Sequence, residues 1–204
     1  DPALSPKANA QDYMERYQAT NFDFYDLTAK LNYELNEKNT IYLSGYFGRD
    51  VFAFGDQVKF AWGNTTGTFR WNHLFHPKLF LNTSVYYSKY DYSLKFKSDD
   101  EIPQGYDWIS DIQTYGIKPQ LTSYASSRHQ LKAGVNLIYY TFYPGKGTAT
   151  SEGMKNEIAL LKRYGSESAA YLEDTWKINP KWQLQAGVRV NRYAYLGKTD
   201  VFHF

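Results

Sequence analysis

The sequence predicts an all-β protein, an antiparallel transmembrane β-barrel segment of about eight strands. Alternation is the first reason. Tyr25, Leu27, Ala29, Leu31, Tyr33 and Leu35 interleave with Asp26, Thr28, Lys30, Asn32 and Glu34. Trp182, Leu184, Ala186, Val188 and Val190 interleave in the same way with Gln183, Gln185, Gly187, Arg189 and Asn191. Successive strand side chains point to opposite faces, so each segment has one apolar and one polar face. The face with Lys, Glu and Arg must meet water, and the continuous apolar face must meet hydrocarbon. Aromatic content is the second reason: 19% of the chain, from 20 Tyr, 13 Phe and 5 Trp. Tyr and Trp favour the lipid headgroup level, where the ring is dry and its polar tip wet. The third is a regular exchange of short and long connections between the strands.

The period-2 pattern assigns strands near 22–35, 40–49, 66–75, 79–93, 109–124, 130–143, 167–178 and 182–195. In the second, Ile41, Leu43, Gly45 and Phe47 oppose Tyr42, Ser44, Tyr46 and Gly48. In the fourth, Leu79, Leu81, Thr83, Val85 and Tyr87 oppose Phe80, Asn82, Ser84, Tyr86 and Ser88. The sixth sets Leu131, Ala133, Val135, Leu137 and Tyr139 against Lys132, Gly134 and Asn136. The seventh is irregular, because Asp174 shares the oily face of Ala170, Leu172, Trp176 and Ile178; nearness to the interface or a bulge are the two ways to accommodate it.

Composition is compatible with this class and removes others. The hydrophobic share is 43%, the charged share 22% and the net charge +2, which leaves no electrostatic footprint for nucleic acid. Mean hydropathy is −0.61 and no run approaches the ~18 apolar residues of a membrane helix, but alternating strands keep hydropathy low in barrels too. Zero cysteines exclude disulfides, Cys-ligated zinc and a thiol nucleophile. No signal peptide precedes Asp1, so a trimmed or excised chain is expected.

Short connections fall at Asn36–Asn39, His76–Lys78, Ala125–His129 and Asn179–Lys181, and long ones at about 50–65, 94–108 and 144–166. Outer-membrane barrels have tight periplasmic turns and long extracellular loops. On that assignment strand 22–35 descends, strand 182–195 ascends, and both chain ends are expected outside. Residues 1–21 are then an extracellular lead-in, 22–195 the strands, and 196–204 the start of the next loop. Complete barrels of this class begin and end in the periplasm, so an internal piece of a larger barrel is expected.

Specific segments carry a resemblance. Tyr171-Leu172-Glu173-Asp174-Thr175-Trp176-Lys177-Ile178, followed by Trp182-Gln183-Leu184-Gln185-Ala186-Gly187-Val188-Arg189, resembles the barrel region of TonB-dependent receptors. Tyr115-Gly116-Ile117-Lys118, His129-Gln130-Leu131-Lys132-Ala133-Gly134, Tyr139–Gly145 and Asn72–Phe80 are similar to Bacteroidetes-type members. The resemblance implies a 22-stranded barrel of which this is a mid-barrel portion, a plug domain and a TonB-contacting segment elsewhere, and import of a siderophore, haem, cobalamin or glycan.

Other constellations read as ordinary. His73, His76, His129 and His203 lack metal-ligand spacing, so no metal is expected. Ser123, His129 and Asp111 could be assembled into a triad on paper only, and no enzyme activity or cofactor is expected. Pro144-Gly145-Lys146-Gly147 lacks the spacer and context of a phosphate loop and reads as a strand end entering a loop. Asn64-Thr65-Thr66 and Asn82-Thr83-Ser84 match the glycosylation sequon without structural meaning here. Met154, Ile158 and Leu161, followed by Gly165, predict a short amphipathic helix, and Asn9–Thr20 another, with Tyr13, Met14 and Tyr17 together.

Specificity is expected in loops, since the strands build the wall. Arg49, Asp50, Phe52, Phe54 and Trp62 form one candidate ligand cluster; Tyr106 and Trp108, with Asp99, Asp100 and Glu101, form another. Lys30, Glu34, Arg70, Lys118, Gln120, Lys132 and Arg189 are expected to face the plug and a hydrated lumen. Expected partners are outer-membrane lipid, lipopolysaccharide, the plug and TonB, with no nucleic acid. Two other readings compete with a receptor: a self-contained eight-stranded barrel, and a soluble barrel with the apolar face inward around a lipophile.

Overall fold

The computed structural model describes residues 20–55, 57–98, 104–151 and 154–196. The expected helix over Asn9–Thr20, apart from Thr20 itself, the acidic trio Asp99, Asp100 and Glu101, His203 and most of the two terminal segments lie outside the described residues. The described chain forms one antiparallel sheet. Its strands are β1 (Thr20–Asn36), β2 (Asn39–Phe54), β3 (Val58–His76), β4 (Leu79–Lys97), β5 (Gly105–Ser123), β6 (His129–Ser151), β7 (Met154–Ala159), β8 (Arg163–Asn179) and β9 (Trp182–Leu196). Each pairs with its chain neighbour in the order β1-β2-β3-β4-β5-β6-β8-β9, and β7 lies off this path on the far end of β6. The eight strands of the path are the eight expected from alternation.

Register keeps the apolar residues together. Leu31 pairs with Leu43, Leu43 with Phe69, Phe69 with Val85, Val85 with Ile117 and Ile117 with Leu137, one apolar row across six strands. A slip of one residue anywhere would reverse a whole strand's faces.

Among the described residues nothing covers that row. Ala61 and Ala169 are the only buried hydrophobic residues among those described, while Leu31 is 65% exposed, Val85 45%, Val135 39% and Val188 70%. Leaving each such side chain in water forgoes about 1.5–3 kcal/mol. A soluble body with these residues at its centre is therefore overturned. Among the described residues the path is also open, since β1 pairs only with β2 and β9 only with β8. That is a wall segment and not a self-contained closed barrel.

The strands are tilted. Asn39 pairs with His73, and β3 runs two ladder positions further, allowing for a one-residue bulge, to His76. Leu79 pairs with Ser123 and Ser123 with Leu131, and β6 begins two residues lower at His129. His129 pairs with Trp176, and β8 runs two more ladder positions, past another bulge, to Asn179. The short turns thus step about six residues over six strand intervals. At ~3.4 Å per residue and ~4.8 Å per strand, this stagger is a tilt of about 35°, as barrel closure requires.

Two expectations are corrected. The long connections are mostly strand: β2 continues to Phe54 and β3 starts at Val58, and β4 reaches Lys97 before β5 starts at Gly105. The helix expected around Met154 and Ile158 is strand β7, paired with β6 through Gly147–Ile158 and Ser151–Met154. The four-residue spacing of Met154 and Ile158 suits one face of either a helix or a strand; the seven-residue spacing to Leu161 pointed to a helix, but Leu161 lies beyond the end of β7.

Candidate functional site: an aromatic wall above the apolar band

The apolar face is bounded by two belts. At the long-hairpin end, Tyr87, Tyr115, Tyr139 and Tyr164 form a row with ring centroids 5.0, 6.5 and 6.2 Å apart. Tyr25 and Phe47, 5.9 Å apart, continue it on β1 and β2 once the stagger is allowed for. At the short-turn end, Asn39 Oδ1 accepts a hydrogen bond from Trp71 Nε1 at 3.0 Å and lies 2.7 Å from His73 Nδ1. From Leu79 to Tyr87 the band measures about 22 Å of tilted strand, close to the ~25 Å apolar band of outer-membrane barrels.

Asp174 sits on the apolar face, opposite Leu131 and Ala186. Its Oδ2 is 2.7 Å from His129 Nδ1, and His129 stacks on Trp176 at 5.7 Å. Position near the short-turn belt and the His129 partner accommodate one carboxylate oxygen without a bulge, while Asp174 Oδ1 is buried without a hydrogen-bond partner.

Across the sheet, Lys30, Glu34, Arg70, Lys118, Gln120, Lys132 and Arg189 share the opposite face through the registers. Lys132 Nζ meets Glu173 at 3.0 Å, and Tyr171 donates to Gln120 Oε1 at 2.7 Å across Gly134. Arg189 lies over the Tyr171 ring at 5.7 Å and donates to Asn191 at 2.8 Å. Lys30, Glu34, Arg70 and Lys118 are exposed. The side-chain oxygens of Asn72, Asn82, Asn136 and Thr122 on this face are buried without a hydrogen-bond partner.

Above the tyrosine row the polarity of the sheet inverts. Phe22, Phe52, Phe60, Leu94, Trp108, Gly147 and Ile158 are successive ladder partners on the face that carries the lysines below. Phe24, Asp50, Trp62, Tyr92 and Ser110 form the next row, and Phe54, Val58, Phe96, Tyr106 and Ala149 the row beyond. Rings touch along the wall: Phe22–Trp62 at 6.3 Å, Phe60–Trp62 at 5.0 Å, Phe60–Tyr92 at 6.3 Å and Tyr106–Trp108 stacked at 6.4 Å. The other face turns polar at the same height, with Arg49 Nη1 bonded to Asp91 Oδ2 at 2.9 Å.

The expected ligand residues are therefore on strands, not loop tips. Asp50, Phe52, Phe54, Trp62, Tyr106 and Trp108 do share one face. Arg49 does not; its odd position turns it to the opposite face and into the Asp91 ion pair. Phe22, Phe24, Phe60, Tyr92 and Phe96 complete the wall and were not among the expected residues, although each is aromatic at an even position of a strand. The Pro144–Gly147 segment also belongs to the wall, for it continues β6. Gly145 has φ +154° and a Cβ there would overlap the Trp108 indole, which explains the glycine.

Among the described residues the candidate catalytic set is not brought together. Asp111 and Ser123 lie twelve residues apart along β5, and His129 is engaged by Asp174. Groups of three or more metal-ligating side chains are absent among the described residues.

Comparison with known proteins agrees with this architecture. Residues 5–203 match the family model described as TonB dependent receptor-like, beta-barrel. No match was found among curated proteins. Among solved structures, the copper transporter OprC is similar with a TM-score of 0.66 and 14% identity over 86% of this chain and 29% of its own. BauA, the ferric preacinetobactin receptor from Acinetobacter baumannii, is similar with a TM-score of 0.65 and 11% identity over 92% of this chain and 36% of its own. This chain spans about a third of the length of those structures. With its bare apolar band, belts and tilt, the chain belongs to the TonB-dependent receptor β-barrel family, a family of outer-membrane transporters and not of enzymes.

Proposed function

We propose that this chain is barrel wall in a receptor that imports a scarce ligand, a siderophore, haem, cobalamin or glycan, and that its aromatic wall contacts that ligand. The inversion of polarity above the tyrosine row carries the reading. Phe52, Trp62, Tyr106 and Trp108 have no hydrocarbon to meet at that height, and they face the same side as the lysines below. Aromatic faces stack on sugars and flat ring systems at ~0.5–1.5 kcal/mol per pair beyond area burial. The long-hairpin end is then extracellular and the short turns periplasmic. Lys30, Glu34, Arg70, Lys118, Gln120, Lys132 and Arg189 line a wet lumen, and the unpartnered oxygens of Asn72, Asn82 and Asn136 receive hydrogen bonds from a plug domain. TonB supplies the energy through that plug. The finer reading, a Bacteroidetes-type member, draws on the segments Tyr115–Lys118, His129–Gly134, Tyr139–Gly145 and Asn72–Phe80 alone.

The test uses the intact receptor in a strain deleted for its own copy, grown with a ferric siderophore, haem, cobalamin or a glycan as limiting nutrient. One nutrient should support growth only when TonB is active. Trp62→Ala with Trp108→Ala should cut uptake of that nutrient by about tenfold, the effect of losing ~1.4 kcal/mol, at unchanged receptor level. TonB-independent growth on all four, or an unaffected double variant, overturns the reading.

A further inference from the structure

One charged side chain sits inside the aromatic wall. Across the three rows above the tyrosine belt, Asp50 alone is ionic among the described residues. Its direct register partners are Phe24 of β1 on one side and Trp62 of β3 on the other. Phe52 follows it on the same face, and the Phe22 and Trp62 rings meet diagonally across β2 at 6.3 Å. Phe22 also meets Phe24 at 5.9 Å, and Trp62 meets Phe60 at 5.0 Å. The half-buried carboxylate is thus bordered by rings on both neighbouring strands and along its own.

The groups that could neutralise it are committed elsewhere. Arg49, next in the chain, turns to the opposite face and pairs with Asp91 at 2.9 Å. Lys59 and Lys95 are mutual register partners on that opposite face too. Tyr46, below on the same face, donates its hydroxyl to Asp26 at 2.6 Å. Asp50 makes no hydrogen bond or ion pair among the described residues. It lies between β1 and β3, so its solitary state does not come from a missing strand beside it. A carboxylate raises the local concentration of cations, and ring faces attract the same sign of charge through their quadrupole. Both parts of this surface repel anions. A hard metal ion needs several oxygen ligands, and one carboxylate does not supply them. An organic ammonium needs only one counter-charge, and its methyl or methylene groups lie against rings without loss.

We propose that this part of the wall is a subsite for an organic cation. The imported ligand carries a protonated or alkylated amine that lies against Phe24 and Trp62, with its charge beside Asp50. The inference rests on the ligand contact proposed for the wall and narrows that ligand to one with a positive group.

Saturation-transfer NMR on the intact receptor in a nonionic maltoside micelle tests it with three probes of one shape. These are choline, its uncharged isostere with a tert-butyl group in place of trimethylammonium, and the tert-butylacetate anion. Choline should bind about tenfold more tightly than the uncharged isostere, and the anion more weakly than either. Asp50→Asn should remove that preference and leave the melting temperature of the ligand-free receptor unchanged. Trp62→Ala should weaken choline and its isostere together. Equal affinity for choline and the isostere, or choline binding that survives Asp50→Asn or Trp62→Ala, overturns the subsite. The wall's contact with its nutrient then still stands if Trp62→Ala with Trp108→Ala cuts uptake. A lower melting temperature of ligand-free Asp50→Asn means that a cation elsewhere in the receptor already pairs with the carboxylate, and overturns the subsite as well.

Discussion

At the scale of single residues, glycines opposite aromatic rings fix how the polar face packs. Gly134 pairs with Tyr171, and a Cβ at 134 would lie 2.6 Å from the Tyr171 hydroxyl and 2.8 Å from the Pro119 carbonyl oxygen. The first neighbour could swing away, at the loss of its bond to Gln120; the second is backbone and cannot. Gly134→Ala should therefore destabilise the intact receptor by about 1–3 kcal/mol, the range for overpacking a filled site. Tyr171→Phe keeps the ring over Gly134 and should cost only ~1 kcal/mol for the lost hydrogen bond. Chemical denaturation in detergent micelles ranks the two, and a Gly134→Ala receptor as stable as the parent would show that both the Tyr171 ring and the Pro119 carbonyl give way freely. Glycine's role here could not be read from the sequence, because Gly134 fits the alternation as any small polar-face residue does. The partner that needs the space is 37 positions away in the chain.

At the scale of elements, the sequence resolved what hydrocarbon dictates and blurred what lies beyond it. Inside the band, every second residue is apolar, so Leu131–Tyr139 and Leu79–Tyr87 announce both their strands and their faces. Beyond the tyrosine row the aromatics change sides, from Phe47 at an odd position to Phe52 and Phe54 at even ones. A template that keeps one face oily throughout stops at that switch, and so the strand extensions read as loops. Strand β7 was misread for a different reason: Met154 and Ile158 fit either element, and Leu161, which tipped the pattern to a helix, lies beyond the strand. Its pairing with β6 includes Lys146–Glu157 at 2.9 Å, and the Glu157 carboxylate holds the Lys146 ammonium above the ordinary lysine value of 10.5. That contact is complete below the ordinary value and fades as pH rises through the elevated one. Asn156→Pro should break the β6–β7 ladder, since proline cannot donate to it. The outcome expected is faster proteolysis within 154–159, with the heat-modifiable gel shift of the folded barrel unchanged. A lost shift would mean that β7 is integral to the barrel.

At the scale of the whole molecule, the sheet combines two sidedness rules at one height, and charge insertion can map where they meet. Val85 lies in the middle of the apolar band, Val51 lies on the same face above the tyrosine row opposite Asp23, and Thr28 lies on the polar face at band height. If the band is immersed in lipid, Val85→Arg carries a guanidinium to the hydrocarbon midplane at a cost of about 2–4 kcal/mol. Val51→Arg meets water and a carboxylate, so its cost is ~0–1 kcal/mol. Thr28→Arg projects into the hydrated interior and should be near neutral. Urea titration of the intact receptor folded into phospholipid vesicles gives the three values directly. The order Val85 well above Val51 and Thr28 follows only if the apolar face meets lipid below the belt and water above it. Equal costs at 85 and 51 would place hydrocarbon along the full length of the strands, and the aromatic wall would then have to be explained without a vestibule.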